Sequence, residues 1–186
     1  MSNPEICRVE TKKIVITGGP GTGKTSVIQL LEEKGYSCLP EVSREVIRSA
    51  KKAGIDQLFL EKPLLFSQLL LDGRIQQYKQ AETADTEYLF FDRGIPDVVA
   101  YLDFAGNEYP SLFREVCHTY TYTDVFFLPP WEAIYTGDQE RYESFEQACL
   151  IHQHLMDTYT RSGYNIKEVP CSSLEDRVSF ILEHLP

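Results

Sequence analysis

The stretch "IVITGGPGTGKTSVIQLLEEKG", residues 14–35, restricts this chain more than any other, because an apolar β-branched run feeds a glycine-rich loop that opens directly into a helical pattern. Gly18, four residues, then Gly23, Lys24 and Thr25 match G-x-x-x-x-G-K-[ST] between a strand and a helix, the context in which that pattern carries meaning. A turn that merely reversed the chain would need one or two glycines. Gly18, Gly19, Pro20, Gly21, Thr22 and Gly23 instead let successive backbone N–H groups curl around an anion. The helix entered through Lys24, Thr25 and Ser26 adds its positive N-terminal end. The spacing expects Lys24 to reach the β- and γ-phosphates of a nucleotide and the Thr25 hydroxyl to complete a Mg²⁺ shell.

Apolar runs alternate with longer helical patterns along the rest of the chain, the sign of βα units around a parallel sheet. Strands are expected at 13–17, 36–40, 87–92, 124–130 and in "YNIKEV", and "KIVIT" and "EYLFFD" are apolar enough to be buried on both faces. Helices are expected after the glycine loop as far as Gly35, over 41–54, over 63–82 with Pro63 in its first turn, from Ile95 to Gly106, over 111–120, from Phe145 to about Gly163, and in "SSLEDRVSFILEHL". In the 41–54 helix, Val42, Val46, Ala50 and Ala53 share one side, and Glu41, Arg44, Glu45 and Arg48 share another. Residues 131–144 show no clean period and read as a mobile connection. With no repeat or linker, the 186 residues are expected to form one domain, 1–186.

A formal charge of −10 repels polyphosphate backbones and anionic lipid, so nucleic acid and membrane surfaces are poor partners for such a surface. A phosphate site must then be a local basic pocket. The five cysteines, Cys7, Cys38, Cys117, Cys149 and Cys171, are scattered without a C-x-x-C pair and fit buried thiols in a reducing compartment. "MSNPEICRVETKK" lacks a signal-peptide core, and "LFLEKPLLFSQLLL" is interrupted by Glu61, Lys62 and Pro63; a cytoplasmic protein without membrane insertion is expected.

A phosphate loop needs an acid at the end of a neighbouring strand to hold the metal or its water, and "YLFFD" supplies Asp92. The alternative for Asp92 is capping the next helix. Arg93 would then lie beside the phosphates, the alternative being a solvated surface arginine. Glu41, just past the second strand, falls at the same sheet edge and is placed to act as base for an acceptor hydroxyl; a first-turn acid favoured by the helix dipole would look the same. Arg44 and Arg48 on its face would hold a polar acceptor or pair with Glu41 and Glu45. Arg141 is the one basic residue of 131–144, where a mobile segment would bring cationic charge over the γ-phosphate, and a plain surface loop is the other reading. His152 and His154 are two apart on a helix and make a poor metal pair. Tyr120, Tyr122, Phe126 and Phe127 read as packing rather than as a base-stacking platform.

"VITGGPGTGKTSVI", "LPEVSREVI", "FFDRGIPDVVAYLDFAG" and "VFFLPPW" followed by "RYESFEQA" resemble the AAA-type P-loop ATPases and kinases related to the kinase domain of NadR, the nicotinamide riboside kinase. The resemblance runs from about residue 12 to about 183. It implies a three-layer α/β fold of the nucleoside and nucleotide kinase type, with a five-stranded parallel sheet, helices on both faces and a lid. In similar deoxynucleoside kinases an acid after the second strand acts as base, and an acid–arginine pair after the third binds metal and phosphates. Glu41, Asp92 and Arg93 occupy those places, and Arg141 falls where a lid arginine would. The activity implied is an ATP- and Mg-dependent phosphotransfer to a nucleoside-like small molecule; a regulatory module that binds ATP or GTP is the alternative, although the guanine-reading N-K-x-D pattern is absent from the sequence. The expected partners are a nucleoside triphosphate and a small-molecule acceptor, with a homodimer left open.

Overall fold

The computed structural model describes residues 10–135 and 143–186. Among them, five strands form one sheet: β1 (Lys12–Thr17), β2 (Ser37–Leu39), β3 (Tyr88–Asp92), β4 (Asp124–Phe127) and β5 (Ile166–Glu168), ordered β2-β3-β1-β4-β5 with every pair parallel. The connections carry α1 (Lys24–Glu33), α2 (Val42–Lys52), α3 (Leu58–Glu61), α4 (Pro63–Ala81), α5 (Ile95–Phe104), α6 (Leu112–Thr119), α7 (Phe145–Arg161) and α8 (Leu174–Glu183). This is the α/β fold of the P-loop nucleoside and nucleotide kinases, as expected.

The apolar strands bury both faces because successive side chains point to opposite sides of a sheet that is covered twice. Ile14, Ile16, Phe90, Phe126 and Leu128 pack with Val27, Leu31, Val178 and Ile181 of α1 and α8 on one side. Val15, Leu89, Phe91, Val125 and Phe127 pack with α4, α5, α6 and α7 on the other. Tyr122 and Phe127 lie in that second layer, which agrees with the packing role expected of the aromatic run.

Two local differences from the sequence reading have simple causes. Pro63 has no N–H to give and takes the first turn of α4, so Leu58–Glu61 closes as a separate short helix, leaving Leu60, Leu64 and Leu65 exposed. On α2, Val42 and Ala50 are buried and Val46 half-buried, but Ala53 lies beyond the last turn and is exposed. Within 131–144, Glu132–Ile134 forms one turn of 3-10 helix, and residues 136–142 lie outside the described residues. α7 starts at Phe145 because Ser144 and Gln147 satisfy each other's backbone N–H groups, at 3.3 and 2.8 Å. No helix among the described residues is long and apolar enough to cross a membrane.

The sheet order sets the site. β1 is central, its chain continues outward to β2, and β3 and β4 flank it, so a crevice opens at its carboxyl end. Ile16 pairs with Asp92 in register, which brings the end of β3 beside the start of the glycine loop.

Candidate functional site

The loop from Gly18 to Gly23 is drawn tight over the end of β4. A Cβ on Gly18, whose φ is +148°, would stand 2.3 Å from the backbone oxygen of Leu128, so no other residue fits. Gly18→Ala is expected to destabilise the protein by about 1–3 kcal/mol, read by urea unfolding, because backbone must move to admit the methyl group. Gly23 caps α1 in the left-handed conformation (φ +83°) and has no side chain of its own to bond the first turn. The N–H groups of Lys24, Thr25 and Ser26 are therefore left for an anion.

Lys24 is buried, and its ammonium folds back onto the loop, donating to the carbonyls of Gly18 (2.8 Å) and Gly19 (2.7 Å). Burial lowers its pKa to about 7, with Arg93 adding to the effect and Asp92, Glu41 and Asp97 opposing it. Thr22 donates its hydroxyl to the Gly19 carbonyl at 3.0 Å. Thr25 and Ser26 face solvent, and Arg44 from α2 reaches the Thr25 hydroxyl at 3.4 Å.

Glu41 is neither a simple first-turn acid nor an i,i+4 partner of the α2 arginines. It stands at the N-cap of α2, but its side chain makes no cap bond. Its carboxylate instead pairs with Arg74 of α4 at 3.1 Å and with Nε of Arg93. Burial pushes its pKa up, and Arg93 and Arg74 outweigh that and hold it below the ordinary glutamate value. Arg93 is likewise no surface arginine: 13% of its side chain is exposed, it has φ +74°, and it donates to the Gly18 carbonyl (3.3 Å) and to Asp97 (3.1 Å). Its guanidinium also lies 5.3 Å from the centre of the Tyr101 ring.

Asp92 does not cap α5, which begins on Gly94 with Asp97 accepting from the Gly94 N–H at 3.0 Å. Its buried Oδ1 has no hydrogen-bond partner among the described residues. Burial raises its pKa, with Glu41 adding and Arg93 and Lys24 opposing. Among the described residues no group of three or more His, Cys, Asp or Glu can hold a metal ion. A magnesium ion takes few protein ligands and several phosphate and water oxygens, so the exposed Thr25 hydroxyl and the orphaned Asp92 oxygen fit that requirement.

The edge thus brings together Lys24, Thr25, Glu41, Asp92 and Arg93, the residues singled out from sequence, except that Arg141 lies outside the described residues. Three participants were missed: Arg74, Asp97 and Arg177. Arg74 was legible in principle, since Leu70, Arg74 and Tyr78 fall at i, i+4 and i+8 on the buried face of α4, and a charge on an apolar stripe demands a partner. Asp97 gave no such signal, because an acid in the first turn of a helix is ordinary; Arg177 did, since Leu174, Arg177, Val178 and Ile181 fall at i, i+3, i+4 and i+7 on the inward face of α8.

The AAA domain family model matches residues 13–177. The chain belongs to the AAA domain family. Among solved structures, the NadR protein in complex with NR superposes with a TM-score of 0.71 at 16% identity, covering 94% of this chain and 51% of that one. This chain therefore spans about half the length of NadR. Deoxyadenosine kinase from M. mycoides superposes at 0.65 and 16% identity, covering 92% and 97%. Thymidylate kinase from Candida albicans gives 0.67 at 16% identity, covering 94% and 90%. At such identities the likeness establishes the shared fold. A comparison with the sequences of curated proteins yields no match.

Proposed function

We propose that this protein is an ATP- and Mg-dependent phosphotransferase whose acceptor is the hydroxyl of a nucleoside-like small molecule. The observation that carries the reading is the largely buried Glu41–Arg93 pair set against the glycine loop, through the Gly18 carbonyl, at the same edge as Lys24. Besides pairing with Arg74 and Arg93, a carboxylate fixed there is what the orientation of an acceptor hydroxyl requires. The shared fold with deoxyadenosine kinase and the NadR protein supports a nucleoside-like acceptor.

Phosphoryl transfer passes through a loose transition state with charge spread over the transferring oxygens, so positioning and cationic stabilisation dominate over strong base catalysis. Lys24 would leave the carbonyls of Gly18 and Gly19 for the β- and γ-phosphates, and Arg93 would face the transferring group. Bound magnesium would be held by Thr25 and Asp92 and would neutralise phosphate charge. Glu41, ionised at neutral pH, would accept the hydrogen bond of the acceptor hydroxyl and orient it, and would take its proton only as the bond to phosphorus forms.

The test is a coupled assay of ADP production across nucleosides and ribosides, with an ATP-analogue binding measurement on the same preparation. At least one acceptor is expected to raise ADP production far above that with water. Glu41→Gln is expected to lower that turnover by about 10²–10⁴-fold, with the nucleotide still bound. ATP binding with water as the only acceptor would sink the kinase reading.

A further inference from the structure

Three arginines lie buried or largely buried at this edge of the sheet, and their charges are treated differently. Arg74 and Arg93 are neutralised by Glu41 and Asp97. Arg177, on α8 and 4% exposed, pairs with no carboxylate among the described residues. Its Nη2 donates to the Thr22 carbonyl at 2.6 Å, across 155 residues of chain, and its buried Nε has no partner among the described residues. Its Nη1 lies 2.8 Å from the point a Cβ on Gly23 would occupy, so Gly23 admits the guanidinium as well as the left-handed turn. Burial pulls its pKa down, and only Cys171 opposes this.

We propose that Arg177 is a positioning residue for the nucleotide, holding the glycine loop in its binding shape through Thr22 and placing a fixed positive charge beside Gly23 for the triphosphate. In a trans peptide the C=O and N–H point opposite ways. Drawing the Thr22 carbonyl onto α8 therefore turns the Gly23 N–H away from α8, toward the anion side of the loop. A tie that served stability alone would be better made by a neutral donor, because a desolvated guanidinium without a carboxylate is unfavourable in the empty protein. The charge is accounted for once a polyanion occupies the loop.

The proposal rests on the reading that the loop binds a nucleoside triphosphate, and the experiment separates the two. Arg177→Met and Arg177→Lys are titrated with the ATP analogue AMP-PNP and Mg²⁺ by calorimetry, melted without nucleotide, and assayed at steady state. Arg177→Met is expected to weaken AMP-PNP binding roughly ten- to a hundredfold, the loss expected for one hydrogen bond from a charged group. Its nucleotide KM should rise by a larger factor than kcat falls, its melting temperature without nucleotide should not drop, and lysine should restore part of the affinity. Unaltered AMP-PNP affinity in Arg177→Met overturns the proposal, as does a melting temperature several degrees lower with KM and kcat degraded alike. If the unaltered protein fails to bind AMP-PNP, the nucleotide reading itself falls and takes the proposal with it.

Discussion

Replacing Lys24 with methionine is expected to make the empty protein more stable and the working protein nearly inactive. In the empty loop the ammonium is buried, its pKa is lowered to about 7, and its bonds are to two neutral carbonyls and the Thr22 hydroxyl rather than to a carboxylate. Removing a charge so placed in favour of an apolar side chain of similar length is expected to raise stability by about 1–3 kcal/mol, within the gain seen when buried ion pairs are replaced by apolar residues. The carbonyls of Gly18 and Gly19 lose a donor in the exchange, which keeps the gain at the lower end. Turnover is expected to fall on the order of 10²–10³-fold, as when one preorganised donor to a developing charge is removed. Thermal melting with and without AMP-PNP and Mg²⁺ checks the first part. The variant should melt above the parent in buffer and below it in saturating nucleotide, since only a protein that binds the ligand well is stabilised by it. Melting temperatures that keep one order under both conditions would remove Lys24 from the nucleotide site.

The features legible in the sequence were those whose partners lie close along the chain or follow from the fold. The strand, glycine loop and helix around Gly18–Ser26 form a contiguous signature. Asp92 could be placed because a strand ending on an acid beside β1 has one geometric outcome in a doubly wound sheet. Glu41 could be placed at the edge, but its partners could not be named: Arg74 is 33 residues away and Arg93 is 52. The helical spacing pointed instead to Arg44 and Arg48, and it misled because Glu41 precedes the first turn of α2, where its side chain is free to turn inward. The partner of Arg177 was out of reach for a related reason. It is a backbone carbonyl, which has no signature in a sequence.

Asp97→Ala is expected to have the largest effect on stability, about 3–5 kcal/mol, as when one member of a buried ion pair is removed and its partner stays charged. Asp97 is fully buried and takes four donors from separate parts of the fold. Oδ1 accepts from Thr17 at the end of β1 (2.7 Å) and from Arg93 (3.1 Å), and Oδ2 accepts from the Gly94 N–H (3.0 Å) and from Tyr159 of α7 (2.6 Å). These bonds hold Arg93 in a left-handed conformation that a residue other than glycine does not favour by itself. Losing Asp97 therefore leaves three buried polar groups unsatisfied and frees Arg93, and with it one of the two anchors of Glu41. Burial pushes the Asp97 pKa up, but Arg74, Arg93, Tyr159 and Thr17 prevail and hold it below the ordinary value, so its contribution is present above about pH 4 and is lost as the pH falls through its folded value. Glu41, also held low, acts in the same direction. Urea unfolding at pH 7 and across pH 5 to 3 measures both effects. The parent should lose stability with acid more steeply than Asp97→Ala, whereas parallel curves would mean that the cluster is not the acid-sensitive element. Asp97→Asn keeps the shape but must present its NH₂ group to two of these donors, and it is expected to recover only part of the loss.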